Sequence, residues 1–417
     1  MSALREFLLR RGALSSRAAW ILGRIAGTAS SATSAAGEKA IPSGMPNVFR
    51  HARIAATVAA TVAATVAATV AATIAAILAL PASAGAQRTT GPDALWYIRN
   101  DTAQIRDFAA HARQISVIAP QAYGMDSTGA IRGGIDPRIV SIARANGVKL
   151  VPLVVNNGFS VTVMHQILTD PASRATAMRE LARLCREQKV DGIQLDFENI
   201  YIGDRHAFTA FAREAVDSVH HAGCQLSAAV VPRTDDDRGT QPYHQWMYDY
   251  WRGAYDYKAL ADTLDFISYM TYAQHTGGST PGPVAGYAWM VASLEYALDA
   301  GVPPAKLSLG LASYSDYWIS TYNWRDGSRP RARDTAYPTL MAIIKKAGAT
   351  PRWDKTQHAW VAMWEDHGVF EHAWLEDVRA FTDKLALVKK HGLRGYSVWL
   401  LGAEDPRVWN QVGAVKR

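Results

Sequence analysis

Two cysteines in 417 residues are too few for a scaffold built on disulfides, and nothing around them has metal-ligand spacing. There is no Cys-x-x-Cys pair and no His-rich tract, so neither a metal centre nor a cofactor is expected. Cys185 and Cys224 form an even pair that could bond, and two free buried thiols fit equally well. The chain also lacks Gly-x-Ser-x-Gly and His-Glu-x-x-His, which removes two common hydrolytic chemistries. No glycine-rich phosphate loop follows the first expected strand, which counts against a doubly wound nucleotide-binding sheet. Excess charge is missing as well. The whole chain carries +7, from 44 Lys+Arg and 37 Asp+Glu. Residues 1–86 hold eight of those basic residues and two of the acidic ones, so the remainder carries only +1. A near-neutral body has no electrostatic footprint for nucleic acid.

One long apolar run is present, and it lies in the leader. Residues 54–80 are nearly all apolar, with an Ala-Ala-Thr-Val repeat. The basic run Met45–Arg53 precedes them, and Ala82-Ser-Ala-Gly-Ala86 follows. Basic, apolar, then small residues is the layout of a secretory signal. The run is also long enough to span a bilayer, so an uncleaved membrane anchor is the rival reading. Met45 is the expected functional start, because it places the basic run directly ahead of the apolar one. The expectation is a leader over 1–86, cleaved after Ala84 or Ala86. The released protein would be periplasmic or extracellular and monomeric, touching a membrane only through an uncleaved leader.

Residues 87–417 alternate two kinds of pattern. Apolar runs rich in Ile, Val and Leu predict strands near 95–99, 114–123, 148–156, 190–198, 225–232, 264–273, 307–315 and 393–401. Helical patterns lie between them, at 136–146, 172–188, 205–222, 287–300 and 377–391. Asp136-Pro137 and Asp204 read as helix starts, and Asn146-Gly147 and His391-Gly392 as helix stops. Eight strands alternating with helices predict an α/β fold, a (β/α)₈ TIM barrel. The interval 320–376 breaks the alternation. Two β-like runs flank Asp366-His-Gly368, a hairpin signal, and the density of Trp and Tyr there argues for the wall of a cleft.

The most informative stretch is Asp191-Gly-Ile-Gln-Leu-Asp-Phe-Glu198, an apolar strand pattern that carries acids. Alternation puts Gln194, Asp196 and Glu198 on one face. Two residues along a strand is roughly 6.6 Å, close enough for the two carboxyls to sense each other. Burying such charges is costly, so partners or a water-filled cleft must compensate. Barrels of this kind carry their active sites at the carboxyl ends of the strands. Those ends carry Tyr123, Asn156, Asp196 with Glu198, Arg233, Met270 with Tyr272, Tyr314 and Trp399. Polar and aromatic residues converging there suit a sugar, whose C–H faces are apolar and whose hydroxyls need hydrogen bonds.

The 191–198 stretch resembles the signature Asp-Gly-x-Asp-x-Asp-x-Glu of glycoside hydrolase family 18, the chitinase-like family. Asp191, Gly192, Asp196 and Glu198 match, and Gln194 replaces an acid. Ser268-Tyr-Met-Thr-Tyr272 is similar to the family's sixth-strand motif, with Ala273 where an Asp usually follows. Gly395-Tyr-Ser-Val-Trp399 is similar to its last strand. The interval 320–376 resembles the small α+β insertion that many members carry between strands seven and eight. Tyr255-Asp-Tyr-Lys-Ala-Leu260, Pro281-Gly-Pro-Val-Ala285 and Leu400-Leu-Gly-Ala-Glu-Asp-Pro406 look like the branch with bacterial spore-cortex peptidoglycan hydrolases. No peptidoglycan-binding repeats of the kind that branch often carries precede the barrel.

The resemblance implies hydrolysis of β-1,4-linked N-acetylglucosamine glycans, chitin or peptidoglycan, in which the substrate's own N-acetyl oxygen attacks the anomeric carbon. Glu198 would be the general acid and then the base. Asp196 would orient the acetamide and stabilise its developing charge, and Tyr272 would hold its oxygen. Gln194, Met270, Tyr123, Asn156 and Tyr314 are the remaining expected substrate-binding residues, with Trp399 as the floor of the central subsite. Gln194 would hydrogen-bond Asp196 without adding charge. A non-catalytic sugar-binding relative is the alternative, although such relatives usually lose the Glu that this chain keeps at 198. A barrel of unrelated chemistry is the third reading.

Overall fold

The computed structural model describes residues 92–277, 279–319 and 331–413. The leader, with its expected signal or anchor, its Met45 start and its cleavage site, lies outside them, as do residues 320–330 of the insertion. In chain order the first strands are β1 (Asp93–Ile98), β2 (Val117–Met125), β3 (Ile131–Gly133), β4 (Lys149–Leu150) and β5 (Leu153–Asn156). Next come β6 (Gly192–Asp196), β7 (Gln225–Val230), β8 (Phe266–Tyr269) and β9 (Leu307–Ala312). Then follow β10 (Ser315–Ile319), β11 (Arg331–Thr335), β12 (Arg352–Asp354), β13 (Ala359–Asp366), β14 (Val369–Leu375) and β15 (Gly395–Trp399).

Eight of these strands form a closed parallel barrel. The order β1-β15-β9-β8-β7-β6-β5-β2 returns to β1, where Leu95–Ile98 pair with Val117–Pro120. The (β/α)₈ expectation therefore holds. The strands are buried on both faces, as in β9, where every residue is buried. Gly395 lets β15 approach β1, because a Cβ there would strike the Asp93 backbone. The local signals behave as their chemistry demands. Asp136 caps the helix Pro137–Asn146 by accepting from Arg138 N, and Gly147 ends it at φ 62°. Asp204 differs. It precedes the helix Arg205–His221 but makes no capping bond, and its carboxylate is taken by His165 Nδ1 at 2.9 Å.

The interval between β9 and β15 holds a separate antiparallel sheet, ordered β11-β10-β14-β13-β12. The hairpin expected around Asp366–Gly368 joins β13 to β14, with His367 and Gly368 at positive φ of 50° and 78°. The helix Tyr337–Lys346 packs Leu340 and Ile344 onto this sheet, against Ala362, Ala373 and Leu375.

Cys185 and Cys224 are joined as a disulfide, with Cα atoms 6.1 Å apart, which closes the alternative of two free thiols. The bond ties the end of the helix Pro171–Gln188 to the start of β7 across a separation of 39 residues. Loop closure on that scale contributes about 3–4 kcal/mol in the chain-entropy model. Cys224→Ala should accordingly melt earlier without reductant, and reduced wild type should fall to the same Tm. An unchanged Tm would mean that the bond does nothing for the fold.

Candidate active site

The barrel interior is stratified. Leu95, Val117, Ala119, Val151, Leu153 and Phe266 form an apolar plug. A polar layer from neighbouring strands lies next to it. Tyr97 OH donates to Gln194 Oε1 at 2.6 Å and lies 2.7 Å from Ser268 Oγ, which in turn lies 2.7 Å from Ser397 Oγ. Gln194 Nε2 donates to Ser227 Oγ at 3.2 Å. Two residues further along β6, Asp196 enters the floor of a cavity of about 1200 Å³ that opens over the carboxyl ends of the strands.

Six of the nine expected site residues meet on this cavity: Asp196, Glu198, Met270, Tyr272, Tyr314 and Trp399. Trp399 sits between Tyr97, at a ring distance of 5.4 Å, and the pair Tyr272 and Tyr314. The other three expected residues do other things. Tyr123 is turned away, because a bulge between Gln121 and Tyr123 shifts the phase of β2 against β5. It lines a separate cavity of about 320 Å³ with Arg132 and Arg183, and Gln121 takes its place at the mouth. Gln194 is fully buried, and its amide is engaged by Tyr97 and Ser227 rather than by Asp196. Asn156 is also fully buried and grips the backbone of Glu198 instead of facing the cavity.

That grip answers a problem in how Glu198 is held. The expected strand runs to 198, but β6 ends at Asp196. Beyond it, side chains replace the sheet's hydrogen bonds. Asn156 Oδ1 accepts from Glu198 N and Asn156 Nδ2 donates to Glu198 O, both at 3.0 Å. Tyr255 OH donates to Phe197 O at 2.7 Å, and Asn199, at φ 54°, donates from Nδ2 to Phe159 O at 2.9 Å. Phe197 itself anchors outward, 5.8 Å from the Phe211 ring and 6.4 Å from Phe208. Glu198 thus reaches the cavity on a short segment fixed from three sides.

The aromatic wall also comes from an unexpected place. None of the described insertion residues from 331 to 376 lines the cavity. Trp360 and Trp364 instead pack on the insertion's own core. The wall is the loop after β7, with Tyr243, Trp246, Tyr248 and Trp251. Arg233 also reaches the cavity, but its guanidinium is committed. It donates to Arg252 O at 3.0 Å and Tyr255 O at 2.9 Å, and pairs with Asp236 at 2.9 Å.

Burial raises the pKa of Asp196, with hydrogen bonding to Glu198 opposing it. Burial raises Glu198 well above the usual carboxylate range, and the charge of Asp196 pushes it further. Asp196 is 4% exposed, and its Oδ1 makes no hydrogen bond among the described residues. The pair therefore holds a proton where free carboxyls would have lost it, as a general acid working near neutrality needs. Tyr272 OH makes no hydrogen bond within the described part of the protein, so it is uncommitted toward the cavity. The raised carboxyls also cost stability. Below the unfolded values, near pH 4, both states are protonated and the fold is unpenalised. As pH rises, the unfolded chain ionises freely while the fold resists, so stability is lost through the raised folded values. Asp196→Asn and Glu198→Gln should melt higher than wild type at pH 8, by about 0.5–2 kcal/mol, and like it at pH 4. Equal differences at both pH values would mean that the substitutions act through packing.

Comparison with known proteins bears on the family and the fold. The family model for glycosyl hydrolases family 18 matches residues 103–404. A cortical fragment-lytic enzyme of Bacillus subtilis is 29% identical over 285 residues, covering 66% of this chain and 63% of that one. The solved spore cortex-lytic enzyme of Bacillus megaterium superposes with a TM-score of 0.69 at 23% identity, over 78% of this chain and 74% of that one. A chitinase from Chromobacterium violaceum superposes at 0.68 with 25% identity, over 77% and 98%.

Proposed function

The chain belongs to family 18 of the glycosyl hydrolases and is a glycosidase, and we propose that it cleaves β-1,4-linked N-acetylglucosamine glycans, chitin or peptidoglycan, with retention and with help from the substrate. The observation that carries this reading is that Asp196 and Glu198, both raised by burial, line one cavity together with Tyr272. Glu198 protonates the glycosidic oxygen as its bond to the anomeric carbon breaks. The acetamido oxygen of the same sugar closes on that carbon and forms an oxazolinium-like intermediate. Asp196 faces the positive charge that develops on the acetamide, and Tyr272 donates to its oxygen. Glu198, now a carboxylate, takes a proton from the water that opens the ring. Trp399 floors the central sugar, and the aromatic loop after β7 carries the chain beyond it. Substrates of this kind lie outside the cytoplasm, which agrees with the signal-like leader. Among the described residues, no helix is long and apolar enough to cross a membrane.

Two measurements test the reading. The first product formed from chitin oligomers or purified peptidoglycan should have the β configuration. A substrate whose acetamido group is replaced by hydroxyl should not turn over. An inverted product, or equal turnover without the acetamido group, would overturn the substrate-assisted path.

A further inference from the structure

Three arginines line the cavity: Arg99, Arg233 and Arg252, the last with its Nε buried and without a hydrogen-bond partner among the described residues. Arg233 is 4% exposed, its donors are engaged by backbone carbonyls, Tyr296 and Asp236, and its guanidinium lies 4.2 Å from the Tyr257 ring. It is a structural strut. Arg99 is different. It directly follows β1, is exposed, and lines the same cavity. Its guanidinium carbon lies 5.4 Å from the centroid of the Trp399 ring. Gln121 Oε1 accepts from its Nε at 3.1 Å, which fixes the direction of the head group. Its two terminal nitrogens, the edge that takes a carboxylate in a bidentate pair, have no hydrogen-bond partner among the described residues. No described carboxylate pairs with it either. Its charge does act on Asp334, whose pKa burial raises and the Arg99 charge lowers.

A guanidinium at the mouth beside the sugar floor can donate to sugar hydroxyls, but only an anionic group matches its charge and its bidentate edge together. We propose that Arg99 is the carboxylate-recognition residue of the cleft, favouring glycans whose N-acetylhexosamines carry an acidic substituent over uncharged chitin. This deepens the hydrolase reading and rests on it. A sugar seated on Trp399 brings its ring substituents within reach of the Arg99 head group. The carboxylate has two sources of one chemistry: a lactyl ether on the sugar itself, or a short peptide attached through that ether. Gln121 is the positioning residue for the guanidinium.

The test compares wild type, Arg99→Gln and Arg99→Lys on three substrates: chitin oligomers, peptide-free glycan strands with free lactyl carboxylates, and strands bearing peptide stems. The full exported chain is used, and kcat/KM is measured on each. Charge-assisted bidentate recognition corresponds to about 10–100-fold. Arg99→Gln should lose that factor on an acidic glycan relative to chitin, and Arg99→Lys should recover part of it. Methyl esterification of the glycan's carboxylates, lactyl or peptide, should remove both the preference and its sensitivity to Arg99. Loss confined to peptide-free strands identifies the lactyl source, and loss confined to peptide-bearing strands the peptide source. Equal loss on chitin and acidic glycans, or no loss on the acidic ones, overturns the proposal while leaving hydrolysis intact. Calorimetric binding in a Glu198→Gln background repeats the comparison without turnover. If wild type cleaves none of the glycans, the hydrolase reading fails by itself, and the binding ratio alone decides the role of Arg99.

Discussion

Glu198→Gln should cut kcat/KM on a natural glycan by about 10²–10⁴-fold, the usual scale for losing a general acid. Glutamine keeps the size and polarity but has no proton to give up at the glycosidic oxygen. The fold should survive, because glutamine can still hydrogen-bond Asp196, the side-chain partner of Glu198, and the segment is held by its backbone. A leaving group that departs without protonation, such as an acidic phenol, should narrow the deficit. The pH profile supplies a second readout. Glu198 must be protonated to act, so the basic limb of kcat/KM follows its raised pKa. Burial lifts it first and the charge of Asp196 next. Asp196→Asn removes the second cause, so its basic limb should move to lower pH, alongside a rate loss from the missing charge opposite the intermediate. Full activity in Glu198→Gln would remove it from the chemistry, and an unmoved limb in Asp196→Asn would mean that the two carboxyls are not electrostatically linked.

The acids were legible in the sequence because they break a rule: an apolar run buried on both sides should carry no carboxylate unless a cavity or partner receives it. The barrel was legible for a related reason. Periods of two and of 3.6 residues alternate along the chain, and caps such as Asp136 and Gly147 are local chemistry. What escaped were features that depend on distant chain. Tyr123 sits where alternation aims it at the mouth, but one bulge in β2 turns it outward, and nothing in a single sequence marks that bulge. Gln194 was rightly placed on the inner face. Its partners could not be foreseen, since Tyr97 and Ser227 arrive from strands 97 and 33 residues away.

Among the described residues the aromatic wall comes from the segment after β7 and not from insertion residues 331–376, for a clearer reason. Tryptophan density in 353–374 reports a small sheet that needs its own core, and aromatics are the cheapest way to fill one. The stretch Tyr243-His-Gln-Trp-Met-Tyr-Asp-Tyr-Trp251 carried an equal signal and has no sheet to fill. It lies in the segment between β7 and β8, at the end of the barrel where this architecture places ligand contacts. Of the described residues, Tyr243 and Trp246 are among the few large apolar side chains left exposed, at 54% and 48%. Position after a strand end is therefore the better guide to a cleft wall than aromatic density alone.

Asn156→Ala should lower kcat by about 10²-fold while leaving KM nearly unchanged, although Asn156 does not line the cavity. The reason lies in where β6 stops. Glu198 is two residues past the last ladder bond, and the Asn156 amide supplies both a donor and an acceptor to its backbone in place of a neighbouring strand. Without it the segment is held only at Phe197 O and Asn199, and the carboxyl is free to drift. A displacement of about 1 Å at a catalytic group is enough for a loss of this order. The buried backbone groups of Glu198 would also lose their partners, at about 1–3 kcal/mol each, so a lower Tm should accompany the rate loss. A positioning role is separated from a general weakening by the pH profile. The limbs set by Asp196 and Glu198 should stay where they are in wild type, with only the plateau lowered. Tyr255→Phe, which removes one hydrogen bond from the same segment, should show the same pattern at smaller scale. A rise in KM with kcat intact would put Asn156 in substrate contact, and an unchanged kcat at full folding would mean that the Glu198 segment holds its place without the amide.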